Sequence, residues 1–356
     1  QVAQTFIARI WNSETTAVPC GGYVIATGTS DGANLKGLAG GYAGYNLGGQ
    51  IKGEYTGEAE GATEGEAGKS KLPIFENNKF ETKTAAAIRI RSVEGKEFAG
   101  GFTGLMESAN VAETGNLELL WGLVQTHNLL QAVSAVYPTE ENTKVTGPLD
   151  SMSLDVWNGW VDAVGSSGAY GDIFTEHRTF DTDEELNDFL ADYVYGYTVK
   201  ANAEDDTMTG VEDGGSAGGY VGRMEGGVIT NGHAQDLKSV EAYRSAGGFA
   251  GEMVTGTIAD LGDLSIGNLD VVDGLGIVKT FVPVIYTSRV DGYNSGFTVE
   301  AAAEADNTSI GNAGGFVGYA DGAQIFDNKD GANKVADTDA KAAVATGLRT
   351  VTGHKN

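Results

Sequence analysis

The residues able to do chemistry are few and scattered. The four histidines, His127, His177, His233 and His354, show neither His-x-x-His nor His-Glu-x-x-His spacing, so zinc hydrolysis finds no ligand set. Asp181-Thr182-Asp183-Glu184-Glu185 opens like a calcium loop but lacks its central glycine and spaced terminal glutamate. It reads as the acidic first turn of a helix, where the N-terminal dipole favours negative charge. Glu204-Asp205-Asp206 and Glu212-Asp213 lie in a turn-rich stretch. There Asp205, Asp206, Glu212 and Asp213 are the candidate ligands of a structural calcium ion, and no other cofactor is expected. No nucleophile elbow and no Walker loop is read, and Gly41-x-x-Gly44 lacks the helix that a dinucleotide fingerprint needs. A carboxylate pair for polysaccharide cleavage stays open, with no spacing to single one out. The single cysteine, Cys20, leaves no internal disulfide framework. It reads as a small buried residue, with an intermolecular disulfide or a thioester as the sharper alternatives. Lysines, asparagines and aspartates are also present for an isopeptide cross-link.

The elements that must position any such group come from a repeat. Ala-Gly-Gly-aromatic-x-Gly occurs five times, starting at Ala39, Ala99, Ala217, Ala246 and Ala313. The aromatics are Tyr42, Phe102, Tyr220, Phe249 and Phe316, each followed nine residues later by Ile51, Val111, Ile229, Ile258 and Ile325. Five gap-free matches mark a repeat architecture. With the alanine as position one, strand alternation separates odd from even positions. Position seven is Tyr45, Leu105, Arg223, Glu252 and Tyr319, a mixture suited to solvent. Position eight is Asn46, Met106, Met224, Met253 and Ala320, expected inward beside the aromatic. The glycines are expected to leave room for the ring or to bend the chain. A second phrase, Gly-aromatic then β-branched residues, appears at Gly22-Tyr23, Gly196-Tyr197 and Gly296-Phe297, with Ala86-Ile88-Ile90 standing in before the second copy. Short strands joined by turns and reused in this way predict a mainly β fold, a parallel, right-handed β-solenoid whose coils bury their inner faces by stacking.

Residues 1–111 and 196–328 are read as solenoid coils, 112–195 as a helical insertion and 329–356 as a polar tail or linker. Within the insertion, Asn116 to Tyr137 and Asp155 to Val164 carry helical spacing, and Thr182 with Glu185 has that of a capping box. Trp121, Trp157 and Trp160 are read as its core, with a sugar-binding platform as the alternative. Copies three and four stand 29 residues apart and give the coil period. With 23 basic and 49 acidic residues the net charge is −26, which disfavours nucleic acid and anionic membranes as partners. No run approaches a membrane-spanning length.

The phrase as it stands at Ala217–Ile229 and Ala246–Ile258 resembles the glycine-rich, GLUG-type repeats of bacterial surface and secreted adhesin-like proteins. The resemblance covers the five copies and their partner phrases, about half of the chain. It implies a stacked β architecture, an extracellular location at the cell surface, and a non-enzymatic structural or adhesive role, as part of a stalk or fibre. Its partners would be a second copy, another surface protein, or a host or environmental glycan. A polysaccharide-binding or polysaccharide-cleaving β-helix protein is the alternative. The uneven copy spacing and the helical block set the chain apart from a uniform stalk.

Overall fold

Each glycine phrase makes two short strands with a corner between them. In the third copy these are Ser216–Gly218 and Val221–Glu225, with Gly219 and Tyr220 at the corner. The structure is a computed structural model. It describes residues 8–17, 21–28, 37–53, 85–110, 117–119, 124–126, 135–148, 151–164, 180–193, 196–201, 215–258, 264–266, 269–272, 279–293, 296–302, 311–326 and 343–353.

The five copies build two five-stranded parallel sheets. One is ordered Leu38–Gly40, Phe98–Gly100, Ser216–Gly218, Ser245–Gly247, Asn312–Gly314; the other Ala43–Leu47, Thr103–Glu107, Val221–Glu225, Ala250–Val254, Val317–Asp321. Both follow chain order, with Ala39, Ala99, Ala217, Ala246 and Ala313 in register. A fifteen-stranded sheet gathers what lies between the copies. Each layer of strands across the three sheets is called a rung below. The third rung is uninterrupted: a single strand, Val228–Ala242, crosses the long sheet before Ser245 opens the next copy. The 29-residue spacing of copies three and four is therefore one complete turn of chain. The fold is mainly β, with large parallel sheets consistent with the solenoid-like winding expected.

The partner phrase forms its own column of strands. Gly22–Ala26, Ile90–Gly95, Tyr197–Ala201, the end of Val228–Ala242, Phe297–Ala301 and Leu348–Gly353 pair in parallel. Val24, Val93, Val199, Val240, Val299 and Val351 share one register position. Gly196 and Gly296 lie at φ 79° and 83° before Tyr197 and Phe297. That left-handed turn, which glycine adopts without steric cost, swings both rings into the core. In the second copy Ile90–Gly95 fills this place rather than Ala86–Ile88, which belongs to the neighbouring column through the pairing of Ala85–Ile88 with Glu14–Thr16.

Three expectations about organisation need correction. Residues 116–137, read as a helix, contain the strands Leu117–Leu119 and Val124–Thr126. These join Leu264–Ile266 and Leu269–Val272 in a four-stranded antiparallel side sheet. The partner segment lies more than a hundred residues away, so local periodicity carries no trace of it. The block 112–195 is also not helical throughout. Thr139–Thr146 supplies a full strand of the long sheet, paired with both Gln50–Lys52 and Val228–Ala242. Finally, the tail from 329 returns to the sheet as Val344–Thr346 and Leu348–Gly353.

The helical expectation holds downstream. Helix α1 spans Leu154–Val164 and α2 spans Asp183–Tyr193. Thr182 Oγ1 accepts from Glu185 N at 3.2 Å and Glu185 reaches back to Asp181 N at 3.0 Å, which satisfies donors that a helix start leaves open. Trp157 of α1 is buried edge-on against Phe180 and Phe189. Trp121 and the Trp160 side chain lie outside the described residues. Among the described residues, no helix is long and apolar enough to cross a membrane.

Candidate functional site

The five aromatics of the glycine phrase form one continuous column. Successive centroids, from Tyr42 through Phe102, Tyr220 and Phe249 to Phe316, are 4.6, 5.1, 4.7 and 4.9 Å apart, with interplanar angles of 15° or less. Phe102, Tyr220 and Phe249 are fully buried, and Tyr42 and Phe316 are half-buried at the two ends. Rungs set by strand pairing lie about 4.8 Å apart, so the rings meet at the spacing the backbone imposes. Each fully buried ring contributes about 1.5–3 kcal/mol, with about 0.5–1.5 kcal/mol more per ring pair.

The glycines serve backbone approach more than ring space. A Cβ on the first glycine, as at Gly100, Gly218 or Gly247, would strike the carbonyl three residues on. A Cβ on the second glycine, as at Gly101, Gly219 or Gly248, would strike the carbonyl of the same glycine one rung further along. Side-chain room matters less, and the rings beside the second glycine belong to the partner phrase: Tyr197 at Gly101 and Phe297 at Gly248.

A carboxylate sits beside this column. Register places Ile10, Ile51, Glu140, Ile229, Ile285 and Ile325 in one line. Glu140 is 1 % exposed. Its Oε1 accepts from Thr103 Oγ1 at 2.7 Å and Asn46 Nδ2 at 3.1 Å, and its Oε2 accepts from Tyr220 Oη at 2.9 Å. The hydroxyls of Tyr220 and Thr143 share a further short hydrogen bond. Since Tyr220 donates to Glu140, Thr143 donates to Tyr220. Burial pushes the Glu140 carboxyl above its ordinary value, against the lowering effect of its three donors. Burial, followed by the nearby Glu140 charge, drives the Tyr220 hydroxyl well up. The tyrosine at position 220, rather than phenylalanine, follows from this: its hydroxyl reaches Glu140. Replacing Tyr220 with Phe is expected to keep the ring stack and cost about 1.5–3 kcal/mol for a lost charge-assisted bond, read as a lower urea midpoint. A polymer chain cannot reach so enclosed a carboxylate.

On the outer faces, charges pair along the columns. Position seven was expected in solvent, yet Leu105, Arg223 and Glu252 are buried, and only Tyr45 and Tyr319 at the ends are exposed. Arg223 lies 3.2 Å from Glu252 and 2.7 Å from Glu225, with its guanidinium over the Phe98 ring. Ser245 Oγ donates to Glu252 at 2.9 Å. Opposite charges in adjacent rungs let these side chains enter the structure. His233 Nε2 meets Asp291 Oδ2 at 2.8 Å, and Asp291 also takes bonds from Arg289 and Thr346. Burial lowers the pKa of His233, and Asp291 offsets part of that. This pair bridges the third and fourth rungs, with Arg289 opposite His233.

The apolar partners of the phrase divide. Ile51, Ile229 and Ile325 share the column, but Glu140 and Ile285 take the places expected of Val111 and Ile258. The chain leaves the rung after copies two and four: Gly256–Ile258 pairs antiparallel with Lys279–Phe281 instead. Val111 and the Ile258 side chain lie outside the described residues, as do Cys20 and the calcium candidates Asp205, Asp206, Glu212 and Asp213. Among the described residues, no group of three or more His, Cys, Asp or Glu could hold a metal ion. Two stretches do match Gly-x-Ser-x-Gly. Gly28–Gly32 is only partly described, and Ser216 of Gly214–Gly218 is a fully buried strand residue followed by another strand, not the exposed turn before a helix that an elbow needs.

One element that the sequence reading passed over is an asparagine line. Asn12, Asn142, Asn231 and Thr287 follow the isoleucine column by two residues, all at φ between 45° and 53°. Asn231 Nδ2 donates to Asn142 at 2.8 Å, and Thr287 donates to Asn231. Ile10-Trp11-Asn12 and Ile229-Thr230-Asn231 were its visible signal. Comparison with protein-family models, with curated proteins and with solved structures finds no match.

Proposed function

We propose that the chain is a right-handed parallel β-solenoid acting as a structural or adhesive module outside a bacterial cell, and that it self-associates into a stalk or fibre. The observation that carries this is that, among the described residues, the strands of both terminal rungs of the long sheet pair along one edge only. Ile10 at one end, and Ile325, Leu348 and Val351 at the other, are exposed although their columns are buried inside. Right-handed winding is what nearly all parallel crossovers adopt. The GLUG-like phrase supports the surface location, and the acidic balance of −26 suits a soluble exterior segment. The calcium candidates between Asp205 and Asp213 remain part of this proposal, as sites that would brace the loop before the third copy.

Sedimentation equilibrium of the purified chain tests the self-association. The weight-average mass is expected to rise with concentration, and more steeply in higher salt, because screening weakens repulsion between acidic chains. A strict monomer at every concentration and salt would contradict it. Reducing-end release from a polysaccharide would instead establish the enzymatic alternative.

A further inference from the structure

We infer that the C-terminal rung of the long sheet docks the N-terminal rung of a second copy, in the register the sheet already uses inside the chain. The inference deepens the self-association proposed above and rests on it. The surface on one side is Gln324–Phe326, Val344–Thr346 and Leu348–Gly353; on the other it is Arg9–Trp11, Glu14–Thr16 and Gly22–Ala26. Among the described residues, each of these six strands pairs along one edge only. An unpaired edge templates another strand unless charge, proline or a bulge protects it.

The two edges match column by column. The isoleucine line ends in Ile325 at the top and Ile10 at the bottom, 42 % and 43 % exposed. The valine line ends in Val351 and Val24. On the outer face, Tyr286 and Phe326 already stack at 5.4 Å. The same register position holds Trp11 in the N-terminal strand of the long sheet, so docking would lay Trp11 over the outer face of Phe326. Phe326 is 39 % exposed, large for an aromatic in a sheet.

Charge is what makes a second copy the occupant. In a chain of net charge −26, the three C-terminal strands carry one charged residue, Arg349, and the three N-terminal strands carry Arg9 and Glu14. The charges are therefore +1 on one face and +1 − 1 = 0 on the other. Continuing the register sets Arg9 beside Gln324 and Glu14 beside Val344, so no like charges oppose each other. Within the chain the register is less favourable, with Glu241 opposite Glu300. The two glycine-phrase sheets begin one rung above the long sheet at the N-terminal end, so across the junction they stay a rung apart and the long sheet carries the contact.

The test uses the full chain with Cys20→Ser, Arg9→Cys and Gln324→Cys, treated with a short bismaleimide. Directly opposed strand residues lie about 5 Å apart, so a denaturing gel should show a ladder of covalent dimers, trimers and higher species. Either single-cysteine variant should stop at dimers or remain monomeric. Phe326→Asp should weaken association in sedimentation at least tenfold, with circular dichroism and thermal unfolding showing the fold retained. Wild-type assembly without a ladder, or assembly unchanged in Phe326→Asp, would overturn this junction and leave self-association standing. A monomeric wild type would overturn both.

Discussion

Gly219→Ala is expected to unfold the central rungs, whereas Gly315→Ala is expected to be nearly silent. Both are the third residue of the same phrase. The added Cβ at Gly219 would meet the Gly248 carbonyl oxygen, backbone of the next rung, at 2.1 Å, inside the 3.0 Å that real Cβ atoms keep. Leu237 Cδ2 closes the other side at 2.8 Å. Neither rung can give way without breaking the pairing of Ser216–Gly218 with Ser245–Gly247, so the cost should be about 3 kcal/mol or more, at or beyond the top of the overpacking range. At Gly315 no further strand of this sheet follows among the described residues, and the Cβ would meet the Leu348 side chain, with Cδ2 at 2.6 Å. Leu348 is exposed and can turn aside, so the change should stay within about 1 kcal/mol, helped by the reduced entropy of the unfolded chain. Urea midpoints of the two variants measure the contrast. Equal midpoints would mean that the second glycine is not there for the neighbouring rung.

Glu140→Ala is expected to cost about 3–5 kcal/mol, the scale of breaking a buried charged network. It would leave the Asn46 amide and the Thr103 and Tyr220 hydroxyls without their acceptor in a closed core. Glu140→Gln should behave differently. Its oxygen can keep the Thr103 and Asn46 bonds, and its amide can donate to Tyr220. The pH dependence gives the sharper signature. Burial raises the folded-state pKa of Glu140 above its ordinary 4.5, so the native state binds this proton more tightly than the unfolded chain. The stability this contributes is fully present below pH 4.5 and is lost as pH rises through the folded value. The difference in unfolding free energy, wild type minus Glu140→Gln, should therefore decline from pH 4 to pH 8. Other carboxylates such as Asp291, held low by Arg289, Thr346 and His233 against the upward push of burial, cancel in that difference. A difference that rises over this interval would contradict the raised pKa.

The ring column was legible because the phrase repeats without gaps and its aromatic never changes class. The turn length was legible from copies three and four, where nothing interrupts the rung. What failed lies where the chain leaves the repeat and finds a partner far along the sequence that no phrase marks. Val111 and Ile258 keep the right distance from their rings, but the chain departs into the side sheet just there, and Glu140 and Ile285 return to fill the column. A glutamate in an apolar line could not be foreseen from spacing alone, although the two tyrosines among the five rings hinted that hydroxyls near it needed partners. The leucine-rich stretch at 116–137 satisfied a helical period and still became strands, because pairing with Leu264–Ile266 outweighs a weak local preference. Arg223 and Glu252 misled for a related reason: each looks exposed alone, and they are buried as a pair between rungs.

The most direct test of the stacked rungs is the set of nuclear Overhauser contacts among selectively labelled Phe and Tyr rings. Phe102 and Tyr220 stand 118 residues apart in sequence and 5.1 Å apart between centroids. The contacts should run Tyr42 to Phe102, Phe102 to Tyr220, Tyr220 to Phe249 and Phe249 to Phe316, with none that skips a rung. Rings that show no mutual contacts, or contacts in another order, would contradict the stack.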